Sequence, residues 1–396
     1  MAEEIYYCQS CGGIMEFDVK TQALKCPNCD TVVEIADNRE EIVEHTLNMN
    51  ALRKLKVEEK QTVTMNCTGC GAPVEIDKNS TALACPYCGS SYVMADKQME
   101  TIVPDGVVTF KLTVEDAKEV FRKWIKGRWL APGQLKNLYQ NGKFQGMYVP
   151  YWTFDADATA RYRAMGGKRR TQTYRDSEGK THTRTVTDWY PTSGTVRHFF
   201  DDVLVCAAER DDKNLLSGID EYNTKNMPSY SPDYMSGYSA EVYTIDLQTG
   251  HNRALRTMTS ELRRLASNDV LRRYDTVKDV RIDARFEKET YKHVLVPVYS
   301  TNYNYNGKNF TVLVNGENGK IKGQYPKSAV KIIVIIVAVV AAIIAFIFCS
   351  GKAEANPGYG AVENATAICY DDSSVSWMEV EEDTLSAEND EYYDNL

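Results

Sequence analysis

Cys8 and Cys11 form one C-x-x-C pair, and Cys26 and Cys29 form a second after fourteen intervening residues. The arrangement recurs at Cys67, Cys70, Cys85 and Cys88, so eight of the eleven cysteines fall in one grid. Thiolates are soft donors that prefer zinc to magnesium or calcium. Each short C-x-x-C loop presents two sulfurs to an ion, and a second loop completes the tetrahedron. The spacing therefore predicts two zinc ions. Cys8, Cys11, Cys26 and Cys29 hold one; Cys67, Cys70, Cys85 and Cys88 hold the other. Cross-pairing between the units is the alternative, and the matched local spacing argues for one ion each. A disulfide framework and rubredoxin-like iron compete for the same residues. The paired spacing favours a metal over disulfides, and electron transfer alone would not need the rest of the chain. A four-cysteine zinc site is closed, hence structural rather than hydrolytic. Loss of zinc on thiol oxidation would make the grid a redox sensor.

The segments around these cysteines also repeat. Residues 8–29 and 67–88 align without a gap at an offset of 59, matching Gly12 to Gly71, Glu16 to Glu75, Asp18 to Asp77 and Pro27 to Pro86. Ile14–Asp18 and Ala23–Lys25 read as short strands, as do Val74–Asp77 and Ala82–Ala84. Units of roughly 30 residues cannot build a sufficient core, so the metal must supply folding free energy. This places one zinc ribbon at 1–35 and a second at 63–96. Between them, at 36–62, Ile42, Val43, Leu47, Leu52, Leu55 and Val57 lie among charges and predict a helical linker over Asp37–Lys60.

Residues 97–327 read as an α+β region. Thr113-Val-Glu-Asp opens a helix with Thr113 as N-cap, which runs to about Lys126 and stops at Gly127. Phe144–Ala160 is strand-like. Arg161–Arg184 holds eight Lys or Arg and two acids, with a turn signal at Asp176-Ser-Glu-Gly. It predicts a basic hairpin. Contact with anionic headgroups or phosphate is its functional reading, and an exposed solubilising hairpin is the plainer reading we favour at this point. Thr185–Ala208 continues as strand with Cys206 as a core residue. Ser217–Ser239 reads as loop, Asn252–Ser267 as helix, and His293–Tyr325 as β structure turning at Asn306-Gly307 and Asn315–Gly319.

Ile332–Cys349 is eighteen consecutive apolar residues, about 27 Å of helix, close to the hydrocarbon thickness of a bilayer. It predicts a transmembrane helix within 328–350. Lys320, Lys322, Lys327 and Lys331 precede it and Lys352 follows, so the positive-inside rule places the body in the cytoplasm and the tail outside. The N-terminus lacks the features of a secretory signal. Residues 351–396 form an acidic tail, expected to be disordered. From Ala353 onward it carries twelve acids and no Lys or Arg, which leaves the rest of a chain of net charge −9 near +3. Cys369 and the sequon Asn364-Ala-Thr366 lie in this tail.

Enzyme signatures are missing. There is no H-E-x-x-H, no G-x-S-x-G and no P-loop, and the five histidines show no ligand spacing. No small-molecule substrate is indicated. The tandem ribbons, the strand Val149-Pro-Tyr-Trp-Thr-Phe-Asp155, the closing Tyr303-Asn-Tyr-Asn-Gly-Lys308 and Val314-Asn-Gly-Glu-Asn-Gly-Lys320 hairpin, and the C-terminal span together resemble bacterial TFIIB-type zinc-ribbon membrane proteins. These are the YdjG-type group, sometimes labelled primosomal helicase PriA-like. The resemblance covers most of residues 1–350 and implies a membrane adaptor that recruits soluble partners, such as SPFH-type or PspA-type proteins. The expectation is therefore α+β: two tandem rubredoxin-like zinc ribbons, a mixed α+β region with antiparallel hairpins, and one C-terminal transmembrane helix. Its expected role is a non-enzymatic single-pass adaptor in the cell membrane, linked through the resemblance to envelope stress. A membrane-tethered nucleic-acid-binding regulator is the rival. Both ribbons balance lysines against acids and are sparse in stacking aromatics, which disfavours it.

Overall fold

The structure, a computed structural model, describes residues 3–4, 6–35, 42–54, 62–66, 73–77, 80–84, 91–94, 103–133, 144–177, 179–210 and 212–351. The N-terminal part holds β1 (Glu3–Glu4), β2 (Glu16–Asp18), β3 (Ala23–Lys25), β4 (Val32–Val33), β5 (His45–Thr46) and α1 (Met49–Lys54). It continues through β6 (Thr62–Asn66), β7 (Pro73–Asp77), β8 (Ser80–Ala84) and β9 (Ser91–Met94). The body follows with β10 (Gly106–Val107), α2 (Val114–Gly127), β11 (Gln145–Arg175), β12 (Thr181–Cys206), α3 (Lys213–Leu216) and β13 (Ser239–Glu241). It closes with α4 (Leu247–Leu271), β14 (Thr276–Tyr305), β15 (Lys308–Asn315), β16 (Ile321–Gly323) and α5 (Ala329–Gly351). Residues 1–333 form one compact unit and 334–396 another.

Local chemistry explains the body's helix starts. Thr113 accepts from the Asp116 amide while the Asp116 carboxylate accepts from the Thr113 amide, a reciprocal capping box. Asp246 caps α4 through the Thr249 amide. Asn306 and Gly307, both at positive φ, form the two-residue turn that joins β14 to β15.

β11 is the spine. It pairs antiparallel with β12 along one edge and with β14 along the other. At 31 residues it is roughly 100 Å of extended chain. Its first third lies in the body, where Tyr148, Val149, Tyr151 and Trp152 are buried. Beyond Asp155 the three strands continue as an arm whose one face is covered by α4. Ala156, Ala158, Ala160 and Ala164 present small side chains to that helix, which meets them with Ala254, Met258, Leu262, Ala266 and Val270. Small residues on both sides let helix and sheet approach closely. Gly250 is the extreme case: a Cβ there would lie 2.7 Å from Trp152 Cδ1. The indole cannot retreat, because its Nε1 donates to the Ile245 carbonyl.

Body and arm meet at a double bulge. The register with β12 shifts between Phe154 and Ala156, and that with β14 shifts between Asp155 and Asp157. Asp202 and Lys288, both at φ 53°, supply the extra residues. Asp155 bridges the two flanks. One carboxylate oxygen accepts from the Asp202 amide at 2.5 Å and the other from the Thr290 hydroxyl at 2.9 Å. Lys292, 8% exposed, pairs with Asp202 at 2.8 Å.

Three sequence expectations needed revision. The helix foreseen over Asp37–Lys60 reduces to α1 among the described residues. His45 and Thr46 instead pair with Tyr291 and Thr290, and Glu44 reaches Lys292, so strand addition and ion pairing outcompete a marginal amphipathic helix. The strand expected from His293 begins at Thr276. The helix expected at Asn252–Ser267 spans Leu247–Leu271.

Asp155→Ala removes both carboxylate contacts and should destabilise the unit by about 3 kcal/mol, judged by hydrogen bonds to charged groups. Chemical denaturation of the solubilised full chain would measure this. A loss below about 1 kcal/mol would mean the bulges hold without the carboxylate.

Candidate metal centre

The first cysteine set converges. The four sulfurs of Cys8, Cys11, Cys26 and Cys29 all lie within 4.8 Å of one another. Cys8 to Cys29 and Cys11 to Cys26 are each 3.5 Å. A tetrahedral ion with bonds of about 2.3 Å to sulfur needs edges of about 3.8 Å, so the donors fit zinc.

Two turns of the same construction build the site. The Cys8 amide donates to the Gly13 carbonyl and the Gly12 amide to the Cys8 carbonyl. Eighteen residues later the Cys26 amide donates to Thr31 and the Asp30 amide to Cys26. Gly12 and Asp30 occupy equivalent positions, both at positive φ (74° and 59°). Each C-x-x-C must reverse there to aim its second sulfur back at the ion. β2 and β3 join the two turns as an antiparallel hairpin, β4 extends it, and Tyr7 bridges to Ile14. Met15 and Leu24 pack against Cys8 and Cys26 beneath the site.

The electrostatics favour a thiolate centre. Burial opposes charge on Cys8, yet the Cys11 and Ser10 amides, helped by the Cys29 and Thr31 side chains, bring it down to about 6. The Thr31 hydroxyl, 3.1 Å from the Cys29 sulfur, and the Thr31 amide lower Cys29. The Gly13 amide favours a Cys11 thiolate, but the Cys29 and Cys26 sulfurs together outweigh it and push Cys11 up to about 12. Four thiolates cannot ionise side by side without a cation. A divalent ion removes that repulsion and accepts all four.

The β2–β3 hairpin is seated on the body. The Phe17 amide donates to the Ser236 carbonyl at 2.9 Å, and the buried Ser236 hydroxyl donates to Met15 at 2.7 Å. Gln22 donates to the Phe110 carbonyl and accepts from Thr109. The Phe17 ring meets Tyr234 edge-on and enters the core around Phe110, Tyr148 and Tyr299.

Cys67, Cys70, Cys85 and Cys88 lie outside the described residues, as does Cys369, so one metal cluster is seen among the described residues. The neighbouring strands are described. Asn66 pairs with Pro73, 59 residues after the Tyr7–Ile14 bridge, and Ala84 pairs with Ser91, 59 residues after Lys25 and Val32. Cys206 is no ligand. Its sulfur faces the Ala208 carbonyl, and burial pushes it up to about 11. Sequence reading passed over Asp30 and Thr31. The hydroxyl residue two positions after Cys29 was the available signal.

The chain is similar to a Bacillus subtilis (strain 168) protein named Uncharacterized protein YdjG, at 26% identity over 329 residues, covering 83% of this chain and 91% of that protein. This similarity supports a YdjG-type family. No protein-family model matches the chain, and no solved structure matches it. α5 supplies the other expected feature: Ala329–Ile347 has a mean hydropathy of 3.3, long and apolar enough to cross a membrane.

Acid should release the metal late. Cys8 titrates near 6 rather than at its ordinary value of 9.0, so its thiolate is present above that range and is lost as pH falls through about 6. Bound metal lowers this further. Release of a metal ion loaded into the cluster, followed with a chromogenic chelator, should therefore begin below pH 6. Release of all the loaded metal near the ordinary value of 9.0 would contradict the amide-stabilised centre.

Proposed function

We propose that the chain is a non-enzymatic, single-pass membrane adaptor whose zinc-stapled ribbons and α+β body recruit protein partners. The closed four-cysteine cluster carries this reading. All four positions are protein thiols, so an ion there offers no open position to a substrate. Its ribbon shares a core with the body, so zinc shapes a surface rather than a reaction site.

Zinc is the proposed ion, and Cys67, Cys70, Cys85 and Cys88 are the proposed second set. In support, Gly71 and Gly89 stand where Gly12 and Asp30 turn the chain, and Ser90 stands where Thr31 serves Cys29. Ala72 and Tyr87 replace Gly13 and Asn28, so packing between the two turns would differ. The body is placed in the cytoplasm and the tail outside, on the lysine asymmetry around α5. An interfacial cluster lies at the start of that helix. Lys331 donates to the Trp129 and Ala131 carbonyls, Trp129 is 62% exposed, and Arg128 lies over Trp124 and Tyr325. Aromatic and basic side chains together suit a headgroup layer. Soluble proteins of the SPFH or PspA type are the partners that the resemblance implies.

Native mass spectrometry of the full chain should count two zinc ions, and Cys85→Ser should reduce the count to one. A count of one for the unsubstituted chain would remove the second site. Crosslinking in membranes should recover protein partners whose yield depends on α5. Recovery of nucleic acid with no protein would overturn the adaptor reading.

A further inference from the structure

The face of the arm opposite α4 has a chemistry that neither the metal centre nor the span uses. Beyond the double bulge, β11 and β12 stay in one register to their tip, so odd-numbered residues of both strands share that face. Arg161 pairs across with Thr195, Arg163 with Ser193, Arg169 with Thr187, and Arg175 with Thr181. Thr171 with Thr185 and Thr173 with Thr183 fill the rows between Arg169 and Arg175, and Met165 with Pro191 and Gly167 with Trp189 lie between Arg163 and Arg169. From Thr159 to Arg175, and from Thr181 to Arg197, no acid occurs at these positions. The row is roughly 50 Å long. Among the described residues, Arg161, Arg163, Arg169, Arg175 and Arg197 make no ion pair, in contrast to Arg170 on the other face, which is held by Asp188. On the neighbouring strand, Arg281 and Arg285 alternate with Asp283 and Glu287, so β14 adds little net charge.

Arginine forks interleaved with hydroxyls suit phosphate oxygens. Two polyanions offer phosphates in such a row: nucleic acid and an anionic bilayer. Sequence-tolerant binding of single strands relies on open aromatic faces for stacking. Here Trp189, on this face, is covered by the Lys278 ammonium at 4.2 Å. On the opposite face Tyr174 is stacked on His182 with the Arg184 guanidinium over its ring. Phe199, 58% exposed at the base of the row, is an apolar group of the kind that enters a headgroup layer. A chain held to a bilayer by its own helix also meets that surface at high effective concentration, so weak contacts suffice.

We propose that the Arg/Thr face of β11 and β12 is a docking surface for the phosphates of an anionic lipid bilayer. The arm thereby lies against the membrane that anchors the chain. This rests on the membrane reading above, and the test separates the two. The full chain is reconstituted in phosphatidylcholine vesicles with or without phosphatidylglycerol, and hydrogen exchange of residues 168–187 is followed. Failure to float with the neutral vesicles would remove the span while leaving docking measurable on added anionic vesicles. Docking predicts protection of residues 168–187 with phosphatidylglycerol only, reversed by salt. Each arginine should change the docked-to-free ratio by about fivefold. The combined Arg161→Gln, Arg163→Gln, Arg169→Gln and Arg175→Gln variant should abolish protection while keeping its zinc and the slow exchange of the body strands. Equal exchange in both lipids overturns the proposal. So does protection that appears only on adding an oligonucleotide, which would assign the face to nucleic acid.

Discussion

Asp155 holds the two halves of the sheet together. Its buried carboxylate takes a hydrogen bond from each neighbouring strand where both are bulged, and beside it Lys292 neutralises Asp202. Burial raises the pKa of Asp155, a sign that the charge is held there against its preference for water. Such a network adds little net stability compared with an apolar core. It does fix register. A strand that slips by one residue turns every side chain to the other face. Here a slip would drive Arg161 and Arg163 into α4 and expose the alanines. The polar staple thus decides which face of the arm is apolar and which is basic.

The metal centre depends on the same body. A ribbon of this size has too little apolar surface to fold alone. Phe17 ties the hairpin down by entering the core around Phe110, and Ser236 clamps it from the opposite segment. An ion held by the four cysteines would therefore be coupled to the packing of the body. Met15 and Leu24 pack under the cysteines, and β2 carries that packing on to Phe17. The cysteine-bearing hairpin is a built-in wall of the body, whereas its sequence reads as an independent module.

Much of this was legible wherever one residue type has one physical job. The cysteine spacing located the first centre, Thr113 with Asp116 marked the start of α2, and Asn306-Gly307 marked the β14–β15 turn. The early part of β14 was not seen because its outward residues are charged, which masked the alternation of Ile282, Ala284 and Phe286 toward α4. Gly250 hid the start of α4, since a helix interior normally avoids glycine. The indole of Trp152 makes it necessary, and that contact spans a large sequence separation. Segment 42–48 has helix-like spacing but finds strand partners in β14. Such tertiary contacts have no local signature.

The small-residue seam between α4 and β11 also limits how the arm can vary in length. Four helical residues advance about 6 Å and two strand residues about 6.6 Å, so the buried rows of the two elements keep nearly equal spacing. From Gly250 to Asp269 the helix rises about 29 Å, while from Trp152 to Tyr162, which contact those same two residues, the strand runs about 33 Å. An insertion in one element alone would put the rows out of step. Relatives with longer or shorter arms should therefore differ by linked insertions or deletions, four residues in the helix for every two in each strand.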